Sequence, residues 1–260
     1  MARALVQATM PHKQTEALFF ERTNGNFTLA MSANAKVGLP YGTIPRLLVA
    51  WLTGEAVRTK ERTLVLGPSL TAFMRELGLT PAGGPNGPIT RLKNQMQRTF
   101  CCAIACLYDS AEYQAYMSFT ITDHYRLWWD RKTPEEAATW RSEVRLGERF
   151  FEEAIQYPVP VDIRVLKALT RSPLALDIYC WLTYRLSYLK RQTSIPWEAL
   201  QAQFGAGYPL TAQGKRNFKR EFLQQLRKVH AIYHQANFQV TENCLILRPS
   251  KPHVPMLPHK

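Results

Sequence analysis

The fold of this chain is decided by the stretch Thr211-Ala-Gln-Gly-Lys-Arg-Asn-Phe-Lys-Arg-Glu-Phe-Leu-Gln-Gln-Leu-Arg-Lys-Val229. Apolar residues recur in it at spacings of three and four: Phe218, Phe222, Leu226 and Val229. This spacing is typical of an amphipathic helix that buries one stripe. Thr211 is a suitable N-cap, because its hydroxyl can accept a hydrogen bond from a free backbone N–H of the first turn. We therefore predict a helix that begins just after Thr211.

The side of this helix opposite the apolar stripe carries groups suited to the major groove of DNA. Five residues lie on it: Arg216, Asn217, Arg220, Gln224 and Arg227. Arginine can donate two hydrogen bonds to guanine, while Asn and Gln can bond adenine. We expect base specificity from Arg216 and Arg220, and phosphate neutralisation from Lys215, Lys219 and Lys228. The competing interpretation is an ordinary solvated face.

The segments on either side of this helix favour the DNA-binding interpretation. Residues 197–204 predict a short helix, which Gly205 ends. After the basic helix, two β-prone runs at 231–240 and 244–248 are separated by polar turn residues and predict a hairpin. A short helix, a turn, a basic helix and a hairpin follow one another in a winged helix-turn-helix.

The same order of elements begins earlier in the chain with a helix, a strand and a short helix. Residues 43–52 predict a helix capped by Thr43, with Pro45 in the first turn, where its missing N–H costs little. A short strand at 63–66 follows. Ser69 then caps a helix that Gly78 stops.

A polar helix and a second hairpin complete this earlier set of elements. The helix covers 89–100 and has four polar residues away from its apolar stripe: Arg91, Asn94, Gln95 and Arg98. The hairpin joins β-prone runs at 105–108 and 116–122 through a turn around 109–112. Because the order occurs twice without sequence identity, we predict two domains of one type.

The predicted fold class is α+β, mainly helical, with tandem winged-helix domains. The predicted units are an N-terminal extension with a β-hairpin around Asn24-Gly25 (1–38), a first winged-helix domain (39–132), a linker (133–160), a second winged-helix domain that is the main DNA reader (161–250) and a flexible tail (251–260). In the second domain, Ser172 caps a long helix with Pro173 at its first position. Residues 1–15 are expected to be mobile, and residues 133–136 fit a capping box.

Composition sets the class of partner. The 260 residues carry a formal charge of +13, which favours a polyanionic partner: nucleic acid first, an anionic membrane surface second. No apolar run approaches the roughly 20 residues that span a bilayer, and the N-terminus lacks a long apolar signal core, so we expect a cytoplasmic protein. The five cysteines lie in apolar settings and are expected to be buried, and without a CxxC pair we predict no zinc site.

No arrangement of residues predicts catalysis, a cofactor or a metal. A nuclease or relaxase needs a histidine cluster beside a nucleophilic tyrosine, but the six histidines are scattered. His230 and His234 are four apart at a predicted helix–strand transition and are expected to face DNA or solvent. Tyr179, Tyr184 and Tyr188 lie in an apolar helix, which favours core packing. No Walker A run is present, so we expect no ATPase.

Three stretches, taken in order, resemble the plasmid RepA-type replication initiators, which are theta-replication Rep proteins built from two winged-helix domains. They are Leu39-Pro-Tyr-Gly-Thr-Ile-Pro-Arg-Leu-Leu-Val-Ala-Trp-Leu52, Tyr157-Pro-Val-Pro-Val-Asp-Ile163 running into Leu166-Lys-Ala-Leu169, and Arg171-Ser-Pro-Leu-Ala-Leu-Asp-Ile-Tyr-Cys-Trp-Leu-Thr-Tyr-Arg-Leu-Ser-Tyr188. The resemblance covers about 39–248. One departure from the family pattern is the long glycine-rich turn over 83–88, just before the first polar helix.

The resemblance implies a function. In that family, the C-terminal winged helix reads direct repeats at the origin (iterons), and the N-terminal one contacts the DNA backbone and forms the subunit interface of the dimer. The five exposed residues of the basic helix would then lie on the recognition helix, and Arg91, Asn94 and Arg98 on its counterpart. A host helicase partner, a monomer–dimer switch and repression of its own promoter are also implied. A winged-helix transcriptional regulator is the alternative, because both classes read DNA with the same helix.

Overall fold

The computed structural model describes residues 1–127, 142–205 and 207–255. The helices in these residues are α1 (Ala4–Gln7), α2 (Thr43–Thr59), α3 (Leu70–Glu76), α4 (Pro88–Phe100), α5 (Glu148–Gln156), α6 (Ile163–Ala168), α7 (Pro173–Tyr188), α8 (Trp197–Phe204) and α9 (Ala212–Ile232). The strands are β1 (Phe19–Asn24), β2 (Phe27–Ser32), β3 (Thr63–Val65), β4 (Ala103–Asp109), β5 (Gln114–Thr120), β6 (Thr122–Arg126), β7 (Glu143–Leu146), β8 (Thr193–Pro196), β9 (Phe238–Val240) and β10 (Cys244–Leu247).

The fold is α+β, as predicted, with 42% helix and 21% strand. The expectation that it is mainly helical was too strong, because the described strands form three antiparallel sheets with the orders β1-β2-β4-β5, β3-β7-β6 and β8-β10-β9. Besides the local hairpins, three pairs join described strands that are far apart in sequence: β2 with β4, β3 with β7, and β8 with β10.

The C-terminal half of the chain, from α6 to β10, has a three-stranded sheet of its own. After α7, strand β8 leads into α8 and α9, and the β9–β10 hairpin returns so that β10 lies between β8 and β9. Leu245 faces Ile195 on one side and Val240 on the other. The hairpin predicted after the basic helix is therefore present, and it is joined to the strand that precedes α8.

The earlier set of elements has the predicted order but a different pairing. Helix α2, strand β3, helices α3 and α4 and the β4–β5 hairpin follow one another. However, β4 pairs with β2 of the N-terminal hairpin, whereas β3 pairs with β7. The segment 142–160 was expected to be a linker, but it supplies β7 and α5, and α5 packs against α2. The rest of that linker, with the predicted capping box at 133–136, lies outside the described residues.

Three of the four predicted helix caps are present. The side-chain oxygens of Ser69, Ser172 and Thr211 accept hydrogen bonds from the backbone N–H three residues ahead. The prediction that Thr43 caps α2 was wrong, because Thr43 is the first helical residue and Gly42 stands at the N-cap without a side-chain bond. Gly42 has a φ of 78°, a conformation that favours glycine.

Eight of the first ten residues are buried, with Arg3 and Gln7 half-buried, so the expectation of mobility was wrong for this part of 1–15. Helix α1 packs against α7, and Ala2 forms a β-bridge with Pro158. The Thr9 hydroxyl donates to the Gln203 carbonyl at 3.0 Å, and the Gln203 amide donates to the Gln7 carbonyl at 3.0 Å. This segment therefore lies between the earlier elements and the C-terminal half.

A buried ion pair also joins the two halves. The Arg46 guanidinium of α2 makes two hydrogen bonds of 2.7 Å to the Asp177 carboxylate of α7, and it donates to the carbonyls of Met10, Pro11 and Gly42. His12 Nε2 lies 2.7 Å from the same carboxylate. Burial opposes ionisation of Asp177, but the charge of Arg46 and the hydrogen bonds from His12 and Arg46 lower the pKa of Asp177 below its usual value.

The start of the predicted tail is held against the C-terminal half. The Tyr233 hydroxyl donates to the Lys251 carbonyl at 2.7 Å, and His253 Nδ1 lies 2.9 Å from the Tyr179 hydroxyl. The expected flexibility therefore does not apply to 251–255, and 256–260 lie outside the described residues. Tyr179 is fully buried, as predicted, whereas Tyr188 at the end of the same helix is 46% exposed.

The cysteines behave as small apolar side chains. All five are free thiols, and Cys102, Cys106 and Cys180 are buried while Cys101 and Cys244 are half-buried. Burial raises the pKa of each of the three buried thiols to about 12. These three thiols are therefore protonated and unreactive at neutral pH.

Candidate nucleic-acid interface

The basic helix α9 is held by an aromatic core. Its predicted apolar stripe is buried throughout: Phe218, Phe222, Leu226 and Val229. The Phe222 ring lies 5.5 Å from that of Phe204 in α8 and 6.0 Å from that of Trp197. Burying each such side chain stabilises the fold by about 1.5–3 kcal/mol. This packing fixes the rotation of α9, so that the opposite face is presented to solvent.

The exposed face of α9 carries the predicted residues in a hydrogen-bonded row. Arg216, Arg220, Gln224 and Arg227 are exposed, and Asn217 is half-buried. The Asn217 side-chain oxygen accepts from Gln213 at 3.0 Å and from Arg220 at 3.1 Å, while Arg216 donates to Gln213 at 3.1 Å. Gln213 was not among the predicted residues, although its spacing of four from Asn217 places it on the same face.

Two of the flanking lysines, Lys215 and Lys228, contact other side chains. The Lys215 ammonium lies 3.2 Å from the Glu198 carboxylate of α8, and the two side chains are 45% and 62% exposed. Lys228 donates to the Gln225 side chain at 3.1 Å. Because an exposed ion pair contributes little, Lys215 remains available to a phosphate at small cost.

Lys219 differs from the other two lysines because its ammonium is directed at the hairpin. It donates to the backbone carbonyls of Thr241 at 3.2 Å and Glu242 at 2.7 Å, and it lies 4.8 Å from the centre of the Trp197 ring. Two of the three N–H donors of Lys219 are thus bound to backbone carbonyls, while its predicted role in phosphate neutralisation stays a prediction. Sequence spacing could not reveal this contact, which joins residues 22 and 23 positions apart.

The polar face of α4 is arranged differently. Arg91 and Asn94 are exposed, but Arg98 donates to the Asn94 side chain at 2.6 Å and to the Leu39 carbonyl at 3.1 Å. Gln95 was expected to point away from the core and is instead buried, where it accepts a hydrogen bond of 2.9 Å from the Tyr41 N–H. On this helix, Arg91 alone among the predicted cations has a fully exposed side chain.

The two neighbouring histidines do not form a site. His230 lies within α9 and packs on the Phe238 ring at 4.9 Å, so it faces the hairpin and not DNA, whereas His234 is exposed beyond the helix end. Within the described parts of the chain, no group of three His, Cys, Asp or Glu side chains is arranged to hold a metal ion. None of the helices in these parts is long and apolar enough to cross a membrane.

Comparison with known proteins places the chain among plasmid replication proteins. Residues 39–199, more than half of the chain, match the model of the family described as plasmid encoded RepA protein, and the chain belongs to that family. The resemblance noted in the sequence is thereby confirmed. No curated protein sequence matches the chain.

Two solved structures share the fold. A crystal structure of RctB domains 2-3 superposes with a TM-score of 0.58 and 13% identity, covering 92% of this chain and 85% of that one. A crystal structure of selenomethionine derivatives of domains 2 and 3 of RctB gives 0.63 and 10%, covering 95% and 99%. At these identities, the likeness concerns the fold alone.

Proposed function

We propose that this protein initiates plasmid replication by binding repeated DNA sites at the origin through helix α9. The observation that carries the proposal is the exposed face of α9, where three arginines, an Asn and a Gln are presented by a rigidly packed helix. Such a face fits the major groove, where these side chains read base edges. The mechanism is binding energy and not covalent chemistry.

The topology of the C-terminal half supports this use of α9. Its helix, strand, helix, helix and hairpin, with β10 between β8 and β9, match the order of a winged helix, in which the last helix enters the major groove. We propose domain limits of 39–160 and 161–250, with the N-terminal segment packed between them. In a first winged helix of the same topology, the β4–β5 hairpin would pair with β3. Here β4 pairs with β2, so a tandem arrangement requires that β2 has taken the place of β3 in the first domain.

The finer steps follow from family membership together with this site. Direct repeats would bind successive copies of the protein, which would help to open the adjacent duplex and recruit the host helicase and initiator proteins. Binding at its own promoter would repress synthesis. Arg216 and Arg220 would supply specificity, while Lys215, Arg227 and Lys228 would contact phosphates, and Arg91 would add a backbone contact from the first domain.

The test is a footprint of the purified protein on the DNA flanking its own gene, at two salt concentrations. Protection of evenly spaced direct repeats, lost in the Arg216→Ala/Arg220→Ala double variant, is expected. Protection of a single palindrome would favour a transcriptional regulator. Binding that is salt-sensitive everywhere, without a footprint, would leave only the charge and overturn the sequence-specific function.

We also propose that two copies associate through the sheet β1-β2-β4-β5. Strand β5 is an edge strand, and Tyr116 on it is 67% exposed. Arg22 supplies the sole Lys or Arg in these four strands, and it is buried. An uncharged edge in a chain with a net charge of +13 suits antiparallel pairing with a second copy about a two-fold axis.

The variant Ser118→Pro tests this association, because proline in an edge strand removes a backbone donor. Sedimentation of the wild type as a concentration-dependent mixture of monomer and dimer, and of the variant as monomer alone, is expected. A wild type that stays monomeric at high concentration would contradict the proposal. Tyr188→Ala, which changes an exposed tyrosine at the end of α7, is the control.

A further inference from the structure

The turn between β9 and β10 is closed by its own side chains. Thr241 Oγ1 accepts from the Cys244 N–H at 3.0 Å, and the Thr241 N–H donates to the Cys244 carbonyl at 3.0 Å. These bonds fix the shape of the turn formed by Thr241, Glu242, Asn243 and Cys244, which we call the wing turn. They do not fix where the wing turn lies relative to α9.

Four hydrogen bonds from outside the hairpin set that position. Besides the two bonds from Lys219, the Trp197 indole N–H donates to the Thr241 carbonyl at 3.3 Å, and the Trp197 backbone N–H donates to the Asn243 carbonyl at 3.3 Å. The carbonyls of Thr241, Glu242 and Asn243 are thus all bound by α9 or by the start of α8. Among the described residues of α9, Lys219 is the one that hydrogen-bonds the wing turn, and its ammonium lies 4.8 Å from the centre of the Trp197 ring.

Peptide geometry determines what the wing turn presents on its other side. In a trans peptide, the N–H of one residue points opposite to the carbonyl of the residue before it. Because the carbonyls of Thr241 and Glu242 point towards Lys219, the N–H groups of Glu242 and Asn243 point away from it. Within the described residues, neither N–H has a hydrogen-bond acceptor. Free backbone N–H groups of this kind are common phosphate ligands in DNA complexes.

We infer that Lys219 is a positioning residue, which holds the wing turn at a fixed distance from α9 so that helix and hairpin engage one DNA site together. The inference rests on the proposed function of α9. This role differs from phosphate neutralisation, because the Lys219 ammonium binds carbonyl groups of the protein itself. The wing turn would contact DNA through the backbone N–H groups of Glu242 and Asn243.

The experiment compares three variants with the wild type. Lys219→Met keeps the aliphatic stem on Trp197 but removes the donors, and Lys219→Arg restores donors. Lys228→Met removes an exposed lysine from the other edge of the same helix face and is the matched control. Binding to the repeat DNA and to random duplex is measured by anisotropy across a salt series. Hydrogen exchange of residues 238–247 is measured without DNA.

Lys219→Met is expected to weaken binding to the repeat DNA about tenfold, with little loss on random duplex and an unchanged salt slope, because no phosphate contact is lost. Lys219→Arg should recover most of the affinity. Lys228→Met should weaken both complexes alike and lower the salt slope by about one. Exchange at the amides of Thr241 and Cys244 should rise in Lys219→Met, while that of the rest of β10, Leu245 to Leu247, stays as in the wild type.

Two results would overturn the inference. One is a Lys219→Met variant that loses equal affinity for both DNAs with a salt slope lower by about one, which is the behaviour of a phosphate ligand. The other is unchanged exchange in the wing turn, a result that does not depend on DNA. If the wild type itself shows no preference for the repeats, the proposed function fails, and the exchange data still decide whether Lys219 positions the turn.

Discussion

Helices α4 and α9 occupy the same place in the order of elements, yet their polar faces differ. On α9, three arginines are exposed in a row, and the hairpin that follows is tied back to the helix by Lys219. On α4, Arg98 is bound to the loop at Leu39, Gln95 is buried, and the hairpin that follows pairs with the N-terminal strands. The order of elements alone therefore does not set the role of a helix. The role depends on whether its polar side chains are used inside the protein.

The largest expected effect comes from breaking the buried ion pair between α2 and α7, which joins the region that carries α4 to the region that carries α9. Arg46→Ala leaves the Asp177 carboxylate buried without its cation, and we expect a loss of about 3–5 kcal/mol in the free energy of unfolding. Urea denaturation measures this loss. Arg58→Ala is the control, because Arg58 pairs with Glu55 at the surface and its loss should change the free energy of unfolding little. Equal losses would mean that the buried pair does not join the halves energetically.

The next largest effect is expected from substitutions on the polar faces of α9 and α4. Arg220→Ala should weaken binding to the repeat DNA by about 1–3 kcal/mol and relax specificity at one position. Arg91→Ala should cause a smaller loss, alike on repeat and random DNA, since its place on α4 suits a backbone contact. Anisotropy titrations at a single salt concentration measure both. A base-specific loss for Arg91→Ala would place α4 in a major groove and remove the contrast between the helices.

A smaller effect concerns how the helices begin. Thr211→Ala removes the cap of α9 and should cost about 1 kcal/mol of unfolding free energy. Thr43→Ala should cost close to nothing, because Thr43 stands inside α2 and caps no N–H. Thermal or urea unfolding of the two variants measures the difference. Similar losses from both would show that Thr43 caps α2 in solution.

The smallest effect is a pH dependence at the junction of the halves. Burial lowers the pKa of His12 below its usual value, although the hydrogen bond to Asp177 opposes this shift. The unfolded chain therefore binds more protons than the folded one, and the free energy of unfolding should fall as the pH decreases through about 6.5. Urea unfolding between pH 7 and 5 should show a flatter dependence in His12→Gln. The exposed His234→Asn should leave the wild-type slope intact, and a flattening there would assign the effect elsewhere.

Local signals in the sequence predicted much of the fold and of the site. The Asn24-Gly25 hairpin, the caps at Ser69, Ser172 and Thr211, and the stripe and exposed face of α9 are all encoded within a few residues of each other. The family resemblance, which rested on three stretches in the family's order, was also confirmed. The identity of the DNA-contacting residues stays a prediction.

Features that depend on distant partners could not be predicted in this way. Arg98 is half-buried and Gln95 is buried because of contacts with the loop at Leu39 and Tyr41, and the hydrogen bonds of Lys219 reach a turn more than 20 residues away. Mobility of segment 1–15 was predicted because the segment is polar and unpatterned. Its apolar residues are nonetheless buried, since α7 and residues 158–160 cover them.

The packing of the N-terminal segment also has a consequence for how the chain folds during its synthesis. Gln7 and Thr9 bond to Gln203, 196 and 194 positions later, so their contacts become available only after α8 has left the ribosome. Contacts of such long sequence separation form late and slow folding. Until then, apolar residues such as Leu5 and Val6 stay uncovered and open to chaperones or to other nascent chains. The supply of folded protein would then depend on the completion of α8 as well as on the rate of translation.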